Sequence, residues 1–380
     1  MHIAFLALDF PDKNGVGGGI GSFVKTLGAE LVKHGFKVSV VAAQYRKNSF
    51  VEDVDGMSVY RLKLTMLPIV GGFFNYNKIN QAFTDIHSRK AIDIVETSES
   101  QLAFVKKIKD VKYCIRMHGG HHYFAVAENR GFEKRKVYQE KKSLAKADFQ
   151  LAVSHYVAQK TKELLSLKTD AKVIYNPINT DAFKKADATK VVKNSLVFIG
   201  SLVEKKGIRQ LVLAMPKIIK EVPDAILTVV GRDGYIPGTD KKYLPVLQKA
   251  IPKELKDKII FTGPVPHSEI PNYLEHAEVC VYPSHMEAMP IAWLEALAMG
   301  KPFVGSKTGP GPEAVFEGKT GVLCDPHNPE DIAEKVIWLL QNKEAAQKMG
   351  LAARADVLER FNIKKLVQEN IDFYKSCLNA

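Results

Sequence analysis

Two glutamates mark a segment whose residue types suit sugar binding. Glu287 stands shortly before Pro290, a residue type that often opens a helix, and Glu295 follows eight positions after Glu287. Carboxylates accept hydrogen bonds from sugar hydroxyls, so two of them about two helical turns apart could hold two sugars of one ligand. Amides at the helix start could bind a phosphate between them. The competing interpretation is a helix cap and an ordinary surface acid.

A lysine precedes a helix-opening glycine at the start of the second half of the chain. The apolar run Ser195–Ile199 leads through a short turn to Lys206 and Gly207, where a helix is predicted to begin. A point charge beside free helix amides suits a phosphate. Lysine followed by glycine is common at helix starts, so an ordinary helix start is the alternative.

A glycine-rich segment, Gly15–Gly21, follows the first predicted strand and opens a helix. Glycines let a backbone approach an anion closely, and a helix start favours negative charge. The segment lacks the G-x-G-x-x-G register of nicotinamide-binding proteins, no acidic residue ends the second strand, and no P-loop motif occurs. A loop that contacts a sugar or a diphosphate is predicted, with a flexible turn as the alternative.

Three histidines, His118, His121 and His122, lie close together after Arg116. Three ligands within five residues on an irregular loop, without a clear fourth, make a poor zinc site, so no metal is predicted. We expect Arg116, His121 and His122 to line one side of a binding site.

Short apolar runs alternate with amphipathic helical stretches along the chain, a pattern typical of βαβ units around parallel sheets. A length of 380 residues suits two or three domains, and the polar stretch 176–193 predicts a linker. We expect an N-terminal Rossmann-like domain at 1–180, a second one at 181–360, and a C-terminal helix at 361–380 that packs back on the first domain.

Two doubly wound α/β domains in tandem place a cleft between them, and ligands of such sheets bind at the carboxyl ends of the strands. The predicted site residues follow strands, which agrees with this arrangement. Among the longer helical patterns, we expect continuous helices at 131–146 and 345–376.

Basic residues are unevenly distributed. The chain has 54 Lys and Arg against 42 Asp and Glu, a net charge of +12, and residues 1–180 hold 27 basic and 17 acidic side chains. An anionic partner is therefore expected at the first half. Arg130–Lys146 concentrates seven positive and two negative residues, which fits acidic lipid headgroups or a phosphate-bearing acceptor, with a solvated helix face as the alternative. Nucleic acid is not predicted, because no RNA motif or recognition-helix pattern accompanies the charge.

Other global features concern location. The four cysteines lie far apart, which predicts reduced thiols, and no apolar run approaches the ~20 residues that span a bilayer. The first ten residues resemble a buried strand more than a signal peptide. We expect a cytoplasmic protein, with a peripheral contact at the inner face of the plasma membrane as a further hypothesis.

Several spaced motifs resemble glycosyltransferase family 4, retaining enzymes of the GT-B fold that use nucleotide-sugar donors. Glu287 and Glu295 match its E-x7-E element, and Leu294–Pro302 matches the continuation L-E-A-x-A-x-G-x-P. Phe261–Val265 and Gly321–Pro326 look like two further family motifs. The resemblance covers nearly the whole chain and implies a GT-B fold, with two doubly wound Rossmann-like domains facing across a cleft.

The resemblance implies roles for residues of the second domain. Glu287 would bind hydroxyls of the transferred sugar, and Glu295 would bind the ribose of the nucleotide. Lys206 would neutralise the diphosphate, and Val265 would contact the base through its backbone.

Further contacts follow from the same resemblance. The amides of Ile291 and Ala292 and the loop around Gly18 and Gly19 would help to bind the diphosphate. His118 matches a first-domain histidine that lies beside the donor sugar and the acceptor, so we expect its neighbours Arg116, His121 and His122 on the acceptor side. The resemblance thus makes His118, together with the glutamate and lysine above, a candidate catalytic residue.

Two departures from the family pattern affect these roles. The family's phosphate-binding arginine is replaced by Ser201, so we expect Lys206 to bind phosphate with help from Lys205 or Arg209. The family's E-G-F-G core reads Glu287–Pro290, and proline removes one amide donor. The nucleotide side of the site is therefore better defined by the sequence than the sugar side.

These observations predict a retaining glycosyltransferase of the hexosyltransferase type, without cofactor or catalytic metal. It would move a sugar from a nucleotide diphosphate-sugar to a saccharide or lipid-linked acceptor in cell-surface polysaccharide or glycoconjugate synthesis. One alternative is an epimerase or phosphorylase of the same fold. Another is a non-catalytic protein that binds an anionic surface through its basic half.

Overall fold

The computed structural model describes residues 1–12, 17–44, 48–65, 71–236 and 238–379. The chain forms two compact α/β units, and the end of the chain returns to the first one. Their bounds are Met1–Pro177 together with Lys364–Ala380 for the first unit, and Ile178–Ile363 for the second.

The first unit is built around a sheet in which seven strands run parallel and the edge strand β3 runs antiparallel to its neighbour, counting the described residues. Strand order is β3-β4-β2-β1-β5-β6-β7-β8, so it reverses at β1, as in a doubly wound sheet. In chain order the elements are β1 (His2–Leu6), α1 (Gly19–Lys33), β2 (Lys37–Gln44), β3 (Phe50–Val54), β4 (Met57–Lys63), α2 (Gly71–Arg89), β5 (Ile94–Thr97), β6 (Lys112–Met117), α3 (His121–Ala127), α4 (Lys134–Lys146), β7 (Phe149–Ala152), α5 (His155–Leu165) and β8 (Lys172–Val173).

The second unit has a parallel sheet of order β11-β10-β9-β12-β13-β14 in the described part of the chain. Its elements, with the last helix of the chain, are β9 (Ser195–Ile199), α6 (Ile208–Glu221), β10 (Ile226–Val230), α7 (Leu244–Ala250), β11 (Ile259–Gly263), α8 (Ile270–His276), β12 (Val279–Val281), α9 (Ile291–Ala298), β13 (Phe303–Ser306), α10 (Gly311–Ala314), β14 (Val322–Cys324), α11 (Pro329–Gln341), α12 (Lys343–Arg360) and α13 (Ile363–Asn379).

Helices flank both sheets, and this explains the apolar runs of the central strands. Every residue of β1 is buried, as are those of β5 and β12, because each strand has both faces covered. Helix α1 instead buries one stripe, formed by Phe23, Val24, Leu27 and Leu31. Because the central strands are buried throughout and α1 buries one apolar stripe, polar residues of the sheets are found at the strand ends.

Two predicted helices differ from the observed ones: the first begins later, and the second is divided in two. The predicted helix 131–146 begins only at Lys134. The predicted helix 345–376 breaks after α12, because Phe361 and Asn362 leave the helix to pair with Ile178, whose amide donates to the Phe361 carbonyl at 2.9 Å. Both predictions of continuous helix were wrong at these points.

None of the helices in the described part of the chain is both long enough and apolar enough to span a bilayer.

Candidate functional site

The second unit brings Lys206 and Glu287 together, although 81 positions separate them in the chain. The Lys206 Nζ donates a hydrogen bond to the Glu287 Oε1 at 2.5 Å. Gly207 makes this approach possible, because a Cβ at Gly207 would lie 1.7 Å from the Pro283 carbonyl oxygen, and its φ of +69° is one that side chains disfavour. The turn after β9 therefore packs closely against the loop after β12, where Glu287 stands.

Backbone and side-chain hydrogen bonds fix the loop that carries Glu287. The His285 amide donates to the Lys205 carbonyl at 2.8 Å, and the Thr308 hydroxyl donates to the His285 carbonyl at 2.7 Å. Glu287 itself is only 9% exposed. A carboxylate and an ammonium group are thus held at a defined separation by two neighbouring strand-end loops.

Glu295 lies on α9 and is 4% exposed, but its carboxylate is not isolated. His267, in the turn after β11, places its Nε2 2.7 Å from the Glu295 Oε1. Val265 lies two positions earlier in the same segment and is partly exposed. His267 was not selected from the sequence, although its position two residues after the family-like motif Phe261–Val265 was a usable signal.

Helix α9 begins in the same loop. Its first two residues, Ile291 and Ala292, are partly exposed, whereas the residues from Trp293 to Ala298 are buried. The Pro290 side chain has no group that could cap the helix, and amides of a first helical turn have no intrahelical acceptor. The start of α9 is thus able to donate hydrogen bonds to an anion four residues after Glu287.

Arg209 does not lie free for a phosphate. Its guanidinium pairs with Glu204, with Nε–Oε2 and Nη2–Oε1 distances of 2.9 and 2.7 Å. Tyr243 and Gln210 also donate to this carboxylate. Burial raises the pKa of Glu204, but the bonds from Arg209, Tyr243 and Gln210 outweigh it and lower the pKa to about 2. Arg209 thus pairs with an ionised carboxylate in the structure, and its expected phosphate contact stays a prediction.

A different arginine lies beside the departure from the family motif. The Arg232 Nε donates to the Ser201 hydroxyl at 3.3 Å, and the Leu202 amide donates to the Arg232 carbonyl at 2.9 Å. Arg232 follows β10 and is exposed. Since β9 and β10 are parallel neighbours, their carboxyl ends bring Arg232 and Ser201 to the same edge of the sheet. The sequence analysis missed Arg232 because strand adjacency was not known.

In the first unit, Gly18 and Gly19 start α1, while Gly15 of the predicted loop lies outside the described residues. A Cβ at Gly18 would come within 1.8 Å of the Asp9 Oδ2, so a side chain there would displace the Asp9 carboxylate. A Cβ at Gly19 would meet nothing within 4 Å, and Gly19 is exposed. The space beside Gly19 is therefore open for a ligand, in contrast to Gly18.

His118 directly follows β6, and its ring contacts that of Phe23, with centroids 5.2 Å apart. Burial and the nearby positive charge of Arg116 lower the pKa of His118 to about 3. The imidazole is therefore neutral at physiological pH and can accept or donate one hydrogen bond at each nitrogen, according to its tautomer.

Arg116 belongs to the interior of the first unit. It is 1% exposed and pairs with Glu96 at 2.8 Å, while its Nη2 donates to the Asn370 side chain of α13 at 2.5 Å. Tyr374, also on α13, donates to the same glutamate at 2.8 Å. The expected acceptor contact of Arg116 is corrected: the guanidinium holds the C-terminal helix on this unit.

His121 and His122 begin α3, a helix that the sequence analysis did not predict. The buried carboxylate of Glu140, on α4, accepts hydrogen bonds from the backbone amides of both histidines and from the His122 ring. His122 is buried by this contact, so its expected place among the acceptor contacts is also corrected. His121 remains partly exposed, and its Nε2 lies 2.9 Å from the Glu133 amide nitrogen.

A second buried carboxylate, Glu99, lies beside this group. One of its oxygens, Oε1, has no hydrogen-bond partner among the described residues. Burial, together with the charge of Glu140, raises the pKa of Glu99 to about 8, although the amides of His118 and Gly119 donate to it. Glu99 is therefore largely protonated at neutral pH.

In the described part of the chain, no group of three His, Cys, Asp or Glu side chains is arranged so that it could hold a metal ion.

Two family models match consecutive parts of the chain. The model for "Glycosyltransferase Family 4" matches residues 17–182, and the model for "Glycosyl transferases group 1" matches residues 179–356. The N-acetyl-alpha-D-glucosaminyl L-malate synthase of Bacillus anthracis is 29% identical over 243 residues, which are 62% of this chain and 61% of that protein. The chain thus aligns with about three fifths of that relative.

Solved structures share the fold. Sucrose-phosphate synthase from Thermosynechococcus elongatus superposes with a TM-score of 0.85 at 21% identity, over 99% of this chain and 98% of that one. Anabaena Alr3699/HepE, solved in complex with UDP and glucose, gives 0.79 at 17% identity over 99% and 100%. These similarities confirm the predicted α/β class and the GT-B fold.

Proposed function

The chain belongs to glycosyltransferase family 4, and we propose that it moves a sugar from a nucleotide diphosphate-sugar to a saccharide or lipid-linked acceptor, with retention of anomeric configuration. One observation carries the proposal: the 2.5 Å contact between Lys206 and Glu287. It joins a phosphate-binding group and a hydroxyl-binding group, which a nucleotide diphosphate-sugar needs side by side.

The donor is bound in this proposal by groups of the second unit. Lys206 binds the diphosphate, and the amides of Ile291 and Ala292 donate to the same anion. Glu287 accepts hydrogen bonds from hydroxyls of the transferred sugar, and Glu295 accepts them from the ribose. The backbone at Val265 contacts the base.

Catalysis rests on stabilising the leaving group. As the bond between sugar and diphosphate breaks, negative charge grows on the phosphate oxygens. A fixed ammonium group and fixed amides stabilise this charge, and they therefore stabilise the transition state more than the bound donor in its ground state. Because Lys206 and helix amides supply this stabilisation, the proposed reaction requires neither a metal ion nor a cofactor.

Arg232 supplies the positive charge that the family normally places at position 201. Its guanidinium hydrogen-bonds Ser201 at the strand end, whereas the guanidinium of Arg209 bonds Glu204. We predict that Arg232→Ala raises the KM for the donor about tenfold, the loss of one hydrogen bond between charged groups. Arg209→Ala is the matched control and leaves that KM nearly unchanged. Equal effects of the two substitutions on KM would contradict the assignment.

The acceptor half of the proposal belongs to the first unit. Neutral His118 hydrogen-bonds the reacting groups, and Gly19 leaves its helix start open to an anion. The basic segment Arg130–Lys146 favours a lipid-linked or phosphate-bearing acceptor for cell-surface polysaccharide or glycoconjugate synthesis. We propose that the protein acts in the cytoplasm, with a peripheral contact at the inner face of the plasma membrane.

A donor screen by thermal shift tests the proposal. A ligand that binds only the folded protein raises its stability by about 2.7 kcal/mol at one hundred times its Kd. We expect one nucleotide diphosphate-sugar of a panel to raise the melting temperature, and its nucleoside diphosphate to be released faster when acceptor lipids or saccharides are added. Isomerisation of the donor without release would favour an epimerase, and no shift with any donor would favour a binding protein.

A further inference from the structure

A pocket of about 500 Å³ lies in the first unit, between the start of α2 and α4. Three aromatic side chains, Phe73, Tyr76 and Phe104, form much of its wall. The rings of Tyr76 and Phe104 contact each other with centroids 5.1 Å apart. Phe73 is 69% exposed, so the wall opens directly to solvent.

Positive charges surround this apolar wall. The lining includes Lys106, Arg135, Lys142 and Lys146 and no acidic side chain among the described residues. The Lys142 ammonium lies 4.4 Å from the centre of the Phe104 ring. Burial and the neighbouring charges of Lys142 and Lys107 lower the pKa of Lys146, which shows that like charges are crowded here. The pocket thus combines an apolar interior with an attraction for anions.

Two more exposed aromatic residues extend the surface beyond the pocket. Phe74, on α2, contacts Phe73 with ring centroids 5.9 Å apart, and Tyr138, on α4, lies near Phe104 at 6.4 Å. Both are more than half exposed. Exposed aromatic side chains beside basic ones are typical of surfaces that enter the headgroup region of a bilayer.

We propose that this pocket binds an anionic phospholipid of a membrane, with a hydrocarbon chain against Phe73, Tyr76 and Phe104 and the phosphate between Lys142 and Arg135. Charge complementarity selects the anionic lipid, because the lining offers four cations and, in the described residues, no carboxylate to repel it. The inference deepens the membrane contact of the proposed function and rests on it. A basic helix surface alone would not need an apolar cavity.

Vesicle flotation tests the proposal with the full chain and without donor. The vesicles contain phosphatidylcholine alone or phosphatidylcholine with phosphatidylglycerol, and wild-type protein should float only with the second kind. Phe73→Ser should weaken that binding about tenfold or more, because the hydrocarbon chain loses the apolar ring against which it packs. Val51→Ser is the matched control, because Val51 is an exposed apolar residue of β3 in the same unit.

A second pair of variants distinguishes binding in the pocket from general attraction between basic side chains and anionic vesicles. Lys142 lines the pocket, whereas Lys141 is its exposed neighbour on α4 and does not. Lys142→Ala should weaken vesicle binding about fivefold, the effect of roughly 1 kcal/mol per basic residue, and more than Lys141→Ala does. Equal losses in this pair, or equal binding by Phe73→Ser and Val51→Ser, would overturn the pocket as the lipid site.

Other occupants give different results. If soluble glycerol phosphate displaces the protein from vesicles, the pocket is a site for soluble phosphates. If sedimentation shows a dimer that Phe73→Ser abolishes, the pocket binds a second copy of this chain. Either result would overturn the proposal. A thermal-shift measurement on Phe73→Ser, with the donor that stabilises the wild-type protein, distinguishes failure of the lipid site from failure of the transferase function. A retained donor response with lost flotation supports the lipid site, and a failed donor screen with normal flotation contradicts only the transferase function.

Discussion

Lys206 and Glu287 neutralise each other in the structure, and this has a consequence for ligand binding. A diphosphate carries more negative charge than one carboxylate, so Lys206 gains a stronger partner when the donor binds. In the proposed function, Glu287 is then released to accept hydrogen bonds from sugar hydroxyls. The same pair that stabilises the loop without ligand is thereby able to bind two adjacent parts of one ligand.

Glu295 gives a prediction about donor affinity. Glu295→Ala should raise the KM for the donor about tenfold or more, because a hydrogen bond to a charged acceptor contributes about 1.5–3 kcal/mol, with a smaller effect on kcat. Steady-state kinetics with the identified donor measure both values. His267→Ala should change the KM less, since His267 shares the carboxylate at 2.7 Å but is not assigned to the ribose. An unchanged KM in Glu295→Ala would remove Glu295 from the donor site.

Glu99 gives a prediction about pH. Its pKa of about 8 in the folded protein exceeds the ordinary carboxyl value, so the folded state binds the proton more tightly than the unfolded state. This contribution to stability is complete at low pH and is lost as pH rises through 8. Between pH 7 and 8, His118 is neutral in the folded state and, with an ordinary pKa near 6.5, mostly neutral in the unfolded state as well. The free energy of unfolding should therefore fall by roughly 1 kcal/mol per pH unit in this range.

Urea unfolding of wild type and Glu99→Gln across this pH range measures the effect. The glutamine variant resembles the protonated carboxyl and should show a flatter dependence on pH. Identical slopes in the two proteins would contradict the assigned ionisation of Glu99.

Lys206 and Glu287, which local motifs singled out in the second unit, lie in contact, and their roles there stay predictions. Glu287, Glu295 and Lys206 stand in local motifs, so their spacing indicated their chemistry. Arg116 and His122 looked equally functional, but their partners are distant: Asn370 lies 254 positions after Arg116, and Glu140 lies on the next helix. Sequence spacing shows no such long-range partner, and burial decides the role of both side chains.

At the level of elements, α13 is held on the first unit by a buried polar network. Asn370→Ala should lower the free energy of unfolding by about 1–3 kcal/mol, because it leaves the buried guanidinium of Arg116 with one partner fewer. Gln368→Ala, an exposed residue of the same helix, is the control and should have little effect. Urea denaturation compares the two variants. Equal stabilities would contradict an anchoring role for the network.

Local signals explain which elements were predicted. The strand Ser195–Ile199 was predicted with its observed bounds, since its residues form an apolar run. The hairpin that β3 and β4 form was not predicted. Its two-residue turn, Asp55 and Gly56, has the positive φ angles of a tight turn, and Asp-Gly is a common sequence for such turns. The break between α12 and α13 depends on pairing with Ile178, which no local pattern reveals.

For the whole molecule, the uneven charge gains a more specific meaning. The first 180 residues hold 27 basic and 17 acidic side chains, yet the donor-binding groups proposed above belong to the second unit. Much of the excess lies on α4 and around the aromatic pocket, where it surrounds apolar surface. This arrangement fits an anionic amphiphile, because an apolar cavity beside basic side chains offers space for a hydrocarbon chain as well as attraction for a phosphate.

The central claim is that Lys206 stabilises the diphosphate leaving group of a sugar donor. The most direct measurement is the rate of nucleoside diphosphate release from the donor that stabilises the protein, in wild type, Lys206→Ala and Lys217→Ala. Lys217 is a fitting control because it also pairs with glutamates, Glu330 and Glu334, but on the surface. We predict that Lys206→Ala lowers kcat by about one-hundred-fold or more, as for other lost transition-state contacts, and that Lys217→Ala leaves it unchanged. A kcat in Lys206→Ala equal to that of wild type would contradict the account.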